Sequence, residues 1–212
     1  MERSAIVVCG GGPARRPLPP IDAALVIAAD GGIEEAERLG LRVDLLVGDM
    51  DSAPPSAVSD VEATGGRVER YAADKDASDL ELALDAAGRE GVAHVLVVGG
   101  QGGRFDHLLG NALLLGSSRW AALRIDGVLG DALLHVIRGE RAFTGTPGEV
   151  ISLFALGGPA REVVTHGLRW ALDGEDLEPG STRGLSNEFA ETRASVSLGE
   201  GVLIAIRPGD KT

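Results

Sequence analysis

Ala23-Ala24-Leu25-Val26-Ile27-Ala28-Ala29-Asp30-Gly31-Gly32 reads as a strand that stops on a carboxylate and two glycines. The helix-like stretch 33–39 follows and is itself stopped by Gly40. A continuous apolar run, rather than an alternating one, is the pattern of a strand covered on both faces, and a helix after it is the way a parallel sheet is wound. The same grammar recurs on either side. Ala5-Ile6-Val7-Val8-Cys9 closes on Gly10-Gly11-Gly12-Pro13, the run 43–47 closes on Gly48-Asp49, and the run 92–98, after a helix-like stretch 79–89, closes on Gly99-Gly100. The expectation is an open, mostly parallel α/β sheet over residues 1–128. In such sheets ligands gather outside the carboxyl ends of the strands, and here four of those ends carry Gly or Asp.

From about Asp131 the grammar changes. Strand-like runs 133–137, 150–156 and 202–206 are separated by Gly145-Thr146-Pro147-Gly148, Gly157-Gly158-Pro159 and Glu178-Pro179-Gly180, with no long helical pattern between them. A small antiparallel β-domain over 129–212 follows from that spacing. No internal repeat or low-complexity tract is present.

The composition narrows the function. The chain has 212 residues, 44% hydrophobic and 25% charged, as in an ordinary globular protein. Aromatics are only 3%, so the core must be built from Val, Leu, Ile and Ala. Thirty-two acidic against 20 basic residues give a net charge of −12, and no Lys/Arg stripe offsets it, which excludes a nucleic-acid partner. The single cysteine, Cys9, excludes a disulfide framework or a Cys-based zinc site and reads as a small buried apolar residue. No apolar run reaches the roughly 20 residues of a membrane helix, and the N-terminal residues carry no secretory pattern. A cytoplasmic address with no membrane partner is expected.

An acidic protein can still handle phosphates, provided cations bridge the two. Gly48-Asp49-Met50-Asp51-Ser52 sets two carboxylates two residues apart, on one side if strand geometry persists. Asp74-Lys75-Asp76-Ala77-Ser78-Asp79 sets Asp76 and Asp79 on one face of a helix start. Grouped carboxylates with room for water suit Mg²⁺, a hard cation that takes a few carboxylates plus substrate phosphates. Either cluster alone also reads as turn and cap chemistry, and Ser78 with Glu81 forms a capping box that accounts for Ser78 without a ligand. Both clusters together favour a metal site. Gly99-Gly100-Gln101-Gly102-Gly103-Arg104-Phe105-Asp106-His107 then offers backbone N–H groups, a helix N-terminus and one guanidinium to an anion. Asp106 also fits a helix N-cap, and His107 a surface or core histidine.

These motifs, in this order, resemble the thiamine pyrophosphokinase family. The resemblance rests on Asp30-Gly31-Gly32, Gly48 to Ser52, Asp74 to Asp79, the stretch 99–111 and Ser186-Asn187-Glu188 before a Gly-led terminal strand, and it spans nearly the whole chain. It implies an α/β catalytic domain, a C-terminal β-sandwich that binds thiamine, and a homodimer whose active site is shared between subunits. The implied reaction is transfer of a diphosphoryl group from ATP to the hydroxyl of thiamine, giving thiamine diphosphate and AMP, with Mg²⁺ as cofactor. By motif match, Asp49, Asp51 and Asp79 hold the metal, with Asp76 in or beside its coordination. Asp30, Gly31, Lys75, Ser78, Gly102, Gly103, Arg104 and Asn111 lie with the phosphates and substrate, Asp106 near the acceptor, and Ser186 and Asn187 near thiamine.

Two positions depart from the family pattern. Lys75 stands where some members carry Gln, and no Trp follows Asn187, so Phe189 or an aliphatic residue must serve any stacking on the thiamine ring; Trp120 and Trp170 precede Ser186. The rival readings are a diphosphotransferase of the same fold acting on another primary alcohol such as a pterin, a non-catalytic nucleotide-binding module, and a metal-dependent phosphatase.

Overall fold

A computed structural model describes residues 2–101 and 104–209, which fall into two compact units. Unit one takes in residues up to Leu114 together with Ala122–Gly130. Its elements are β1 (Ser4–Cys9), β2 (Ala23–Ala29), α1 (Gly32–Arg38), β3 (Leu45–Gly48), α2 (Pro55–Ala63), β4 (Arg67–Arg70), α3 (Asp79–Arg89), β5 (His94–Gly99), α4 (Phe105–Leu115) and β6 (Arg124–Leu129). All six strands pair in parallel, in the order β6-β5-β1-β2-β3-β4.

That order carries the functional geometry. The chain winds outward from β1 through β4 on one side, then returns to lay β5 and β6 on the other. The reversal lies beside β1, the place where an open α/β sheet leaves a crevice. β1, β2, β3 and β5 are buried along most of their length, as the unbroken apolar runs anticipate.

Three elements of this unit were not legible as apolar runs. The edge strand β4 is Arg67-Val68-Glu69-Arg70, with charge on an edge that discourages pairing with another chain. β6 is interrupted by Asp126 and Gly127, and α2 opens with Pro55 in its first turn, where a missing N–H costs nothing. The third strand begins at Leu45, two residues later than its apolar run; the Asp44 side chain instead accepts a hydrogen bond from the Val26 N–H at 3.0 Å.

Unit two takes in Leu115–Ala121 and the chain from Asp131. Its strands are β7 (Ala132–Ile137), β8 (Glu140–Thr144), β9 (Val150–Ala155), β10 (Ala160–His166), β11 (Asp173–Leu177), β12 (Asn187–Glu188), β13 (Arg193–Ser197) and β14 (Leu203–Arg207). They form two antiparallel arrays, β12-β9-β14-β7 and β11-β10-β13-β8. One core joins them: Ile137, Ile151, Leu153 and Leu203 from the first array meet Phe143, Val163, Leu177 and Val196 from the second. This is a β-sandwich. Its polar strands, such as Asp173-Gly174-Glu175-Asp176-Leu177, bury only Leu177 and lack the apolar signal that marked the others. Among the described residues, no helix is long and apolar enough to cross a membrane.

Candidate active site

The carboxyl ends of β1, β2 and β5 open into a cleft of about 600 Å³ in unit one. Cys9, Gly10 and Gly11 line it after β1, Asp30 and Gly31 after β2, and Gly100 after β5. Lys75, Ser78 and Asp79 reach it from the start of α3, and His107 and Asn111 from the first turns of α4.

Backbone strain concentrates here. Asp30 has φ 43° and Met50 φ 66°, left-handed values uncommon for residues with a side chain. The Met50 twist changes how the Asp49–Asp51 pair forms. The strand ends at Gly48, and a turn, rather than strand alternation, brings the two carboxylates together, with the Asp51 N–H donating to Asp49 Oδ1 at 3.3 Å. Gly48 permits the approach of the neighbours: a Cβ there would stand 2.8 Å from Asp30 Cβ and 3.2 Å from Asp79 Oδ1.

Among the described residues, Asp30, Asp49 and Asp51 form the group of carboxylates whose oxygens all lie within 4.8 Å of one another. Asp30 is 6% exposed, and its Oδ1 is buried with no hydrogen-bond partner. An ionisable oxygen held dry, unpaired and beside like charges is costly unless a cation supplies the missing contact. Burial raises the Asp30 carboxyl above its ordinary range; a hydrogen bond from Ser52 opposes this, and the Asp79 and Asp49 charges add to it. Hard oxygen donors at this spacing fit Mg²⁺, which keeps waters and phosphate oxygens in its remaining positions.

Lys75 sits between the two acidic motifs. Its Nζ lies 3.1 Å from Asp49 Oδ2 and 3.0 Å from Asp79 Oδ1, with only 14% of the side chain exposed. Burial pulls the ammonium pKa down, but the two carboxylates outweigh it and hold it above the usual value. Lys75 likewise keeps the Asp49 carboxyl below its ordinary range. Ser78 caps α3, its hydroxyl accepting from the Glu81 N–H at 3.2 Å, and still borders the cleft.

Other expected residues are placed differently. Asp76 is exposed and outside the carboxylate group; Asp79 is outside it too, with its Oδ1 3.0 Å from Lys75 Nζ and, like Asp30 Oδ1, buried without a hydrogen-bond partner. Gly102 and Gly103 lie outside the described residues. Arg104 is exposed and donates to Asp106 from Nε and Nη2, at 3.2 and 2.6 Å, which holds the Asp106 carboxyl down at about 2. Asn111 Nδ2 donates to the Gly100 carbonyl at 3.2 Å and so tethers the glycine loop. Asp30, expected with the substrate contacts, lies in the metal-type group, and His107, expected on the surface or in the core, is exposed and also lines the cleft wall.

In unit two, Asn187 is buried and its amide is engaged with the backbone at both ends. Nδ2 donates to the Trp170 carbonyl at 2.7 Å, while Oδ1 accepts from the Trp170 and Glu188 N–H groups at 3.0 and 2.9 Å. Ser186 is exposed with φ 55°. Phe189 is a core residue, with no face free to stack on a ligand, whereas the Trp170 ring is half-exposed beneath the Arg169 guanidinium.

Comparison with known proteins matches two family descriptions in order along the chain. "Thiamin pyrophosphokinase, catalytic domain" covers residues 21–125, and "Thiamin pyrophosphokinase, vitamin B1 binding domain" covers 134–203. The thiamine pyrophosphokinase of Bacillus subtilis (strain 168) is 30% identical over 200 residues, 90% of this chain and 86% of that protein. Thiamine pyrophosphokinase 1 of Oryza sativa subsp. japonica is 28% identical over 210 residues, 92% of this chain and 76% of its own. The crystal structure of the Bacillus subtilis thiamine pyrophosphokinase superposes with a TM-score of 0.84 at 26% identity, covering 99% of this chain and 100% of that one. With both halves of the family matched in order, and a relative of this identity followed over most of its length, the chain belongs to the thiamin pyrophosphokinase family.

Proposed function

We propose that this chain transfers a diphosphoryl group from ATP to the hydroxyl of thiamine, releasing AMP and thiamine diphosphate. The observation that carries this reading is the pairing, on one chain, of the family's catalytic and vitamin B1 binding parts. A pterin-type acceptor or a plain phosphatase would leave the second match without purpose, and a non-catalytic module would have no need of a dry, orphaned Asp30 oxygen.

Asp30, Asp49 and Asp51 would hold Mg²⁺, and Asp79, with Asp76 outside it, completes the acidic rim. When bound, the ion supplies charge neutralisation for the triphosphate. The chain's own groups position the reactants. The Gly10–Gly11 and Gly31 backbones allow close approach of phosphate, and Asn111 keeps the Gly100 loop in place. Arg104, beside Gly102 and Gly103, contacts phosphate on exchanging its exposed pairing with Asp106. Asp106, held ionised, stands near the acceptor hydroxyl. Phosphoryl-type transfer through a loose transition state depends on such positioning more than on a strong base.

The thiamine ring is received by unit two around Ser186, with Asn187 acting through the Trp170 backbone that it fixes. A homodimer with a shared site fits the apolar residues left in water. Phe105, Leu109 and Leu113, four apart along α4, are 76%, 48% and 52% exposed. A cytoplasmic address agrees with the use of ATP.

Incubation with Mg-ATP and thiamine should yield AMP and thiamine diphosphate in equal amounts, read by chromatography of both products. ADP or free phosphate in place of AMP would reject the reading, and faster turnover of a pterin alcohol would favour that acceptor.

A further inference from the structure

Gly130, the buried residue that follows β6, touches both of the chain segments whose glycines line the cleft of unit one. On the segment leaving β1, the Arg15 N–H donates to the Gly130 carbonyl at 2.9 Å. On the segment leaving β5, the Gln101 carboxamide lies against the Gly130 Cα. A Cβ at position 130 would stand 1.9 Å from Gln101 Oε1, 2.3 Å from its Cδ and 2.5 Å from its Nε2, so a side chain fits there only if Gln101 moves. The backbone at Gly130, with φ 60°, also favours glycine. The two segments are joined directly as well: the Gly100 N–H donates to the Gly10 carbonyl at 3.0 Å. With Asn111 donating to the Gly100 carbonyl, both backbone polar groups of Gly100 are held within the protein. Gly10, Gly11 and Gly100 line the cleft, and neither Gln101 nor Gly130 does.

We propose that Gln101 and Gly130 form a seat that sets the spacing of the two glycine segments for the phosphates of ATP. This rests on the diphosphotransfer reading given under Proposed function and adds two residues to which that reading gives no task. Both are positioning residues, since they reach the nucleotide only through Gly100 and Gly10. Hydrogen bonds to phosphate weaken steeply outside a narrow range of distance and angle, so the spacing of the backbone that approaches it matters. A segment fixed at its base before ligand arrives also loses little freedom on binding. The seat lies in unit one, with the cleft, so it acts on ATP and leaves the reception of thiamine untouched.

The test is steady-state kinetics of AMP formation, with Mg-ATP and thiamine varied in turn. Gln101→Ala empties the seat and should raise KM for ATP about tenfold while KM for thiamine stays at the wild-type value. Gly130→Ala puts a methyl group where the carboxamide lies and should raise KM for ATP likewise. The two changes together should be no worse than the worse one alone, because both remove the same contact. Gln101→Met, unbranched and of similar length, should hold the seat and keep KM for ATP near wild type. An unchanged KM for ATP in Gln101→Ala, whatever its melting temperature, overturns the inference and leaves the diphosphotransfer reading intact. So does an equal rise in both KM values, a double variant whose KM rise is the product of the single ones, or a Gln101→Met as impaired as Gln101→Ala. Should Gly130→Ala fail to fold, Gln101→Ala and Gln101→Met decide. No thiamine diphosphate from wild type rejects both.

Discussion

Asp30 joins strain, burial and charge in one residue. Its backbone is left-handed, and its buried carboxylate oxygen, without a hydrogen-bond partner, lies beside Asp49 and Asp51. The ordinary Asp value is about 3.9, and Asp30 lies above it because burial disfavours its charge. The folded chain therefore keeps this proton more tightly than the unfolded one, so the group's contribution to stability falls as pH rises through that window. Asp30→Asn should accordingly melt a few degrees above wild type in EDTA at pH 7, by a ΔΔG of about 1 kcal/mol. The gap should close by pH 4, and the variant should lose Mn²⁺ binding. A lower melting temperature for Asp30→Asn in EDTA at pH 7 would mean that this carboxylate is not under strain. Cys9, a neighbour in the cleft wall, shows the same physics: burial first, then the Asp79 charge, pushes its thiol up to about 12, which removes it as a nucleophile.

Among the elements, α1 does more than cover the sheet. Its Glu35 is buried and accepts the Ala14 N–H at 2.8 Å, while Arg38 pairs with Glu35 at 2.6 Å and donates to the Ala14 carbonyl at 3.0 Å. A helix thereby clamps the loop that leaves β1, whose Gly10 and Gly11 line the cleft. Arg38 foremost, then the Ala14 N–H, holds the Glu35 carboxyl below its usual range of about 4.3 against the pull of burial. Its stabilisation is thus present above that value and is lost as pH falls through the lowered one. Glu35→Ala strands the buried Ala14 N–H and should cost about 2 kcal/mol at pH 7 in urea unfolding, and less at pH 3. An equal cost at both would place the effect in packing alone. The Ser78 cap of α3 is the opposite case: a capping box seen in the sequence and found with its N–H bond in place, in a residue that also borders the cleft.

At the scale of the whole molecule, the apolar stripe of α4 is the feature that one copy leaves unsatisfied. A helix whose exposed positions include Phe105, Leu109 and Leu113 buries little in its own chain. Leu109→Asp should convert a dimer to a monomer in analytical ultracentrifugation and lower turnover at least tenfold, with the fold intact by circular dichroism. A monomeric wild type with full activity would remove the shared-site reading.

Order along the chain was enough to reveal the parallel sheet, the antiparallel second part and the carboxylates at strand ends, because double-sided burial and turn chemistry act over a few neighbouring residues. The runs ending at Cys9, Ala29, Val47 and Val98 state their own burial; Arg67–Arg70 and Asp173–Leu177 do not, since pairing, rather than apolar content, makes them strands. The contacts that define the site lie beyond such local rules. The turn of Asp30 into the acidic group, the bridge of Lys75 to Asp49 across 26 positions, and the engagement of Asn187 with the Trp170 backbone join residues far apart in the chain. Electrostatic and hydrogen-bond energies depend on distance in space, and only folding sets that distance.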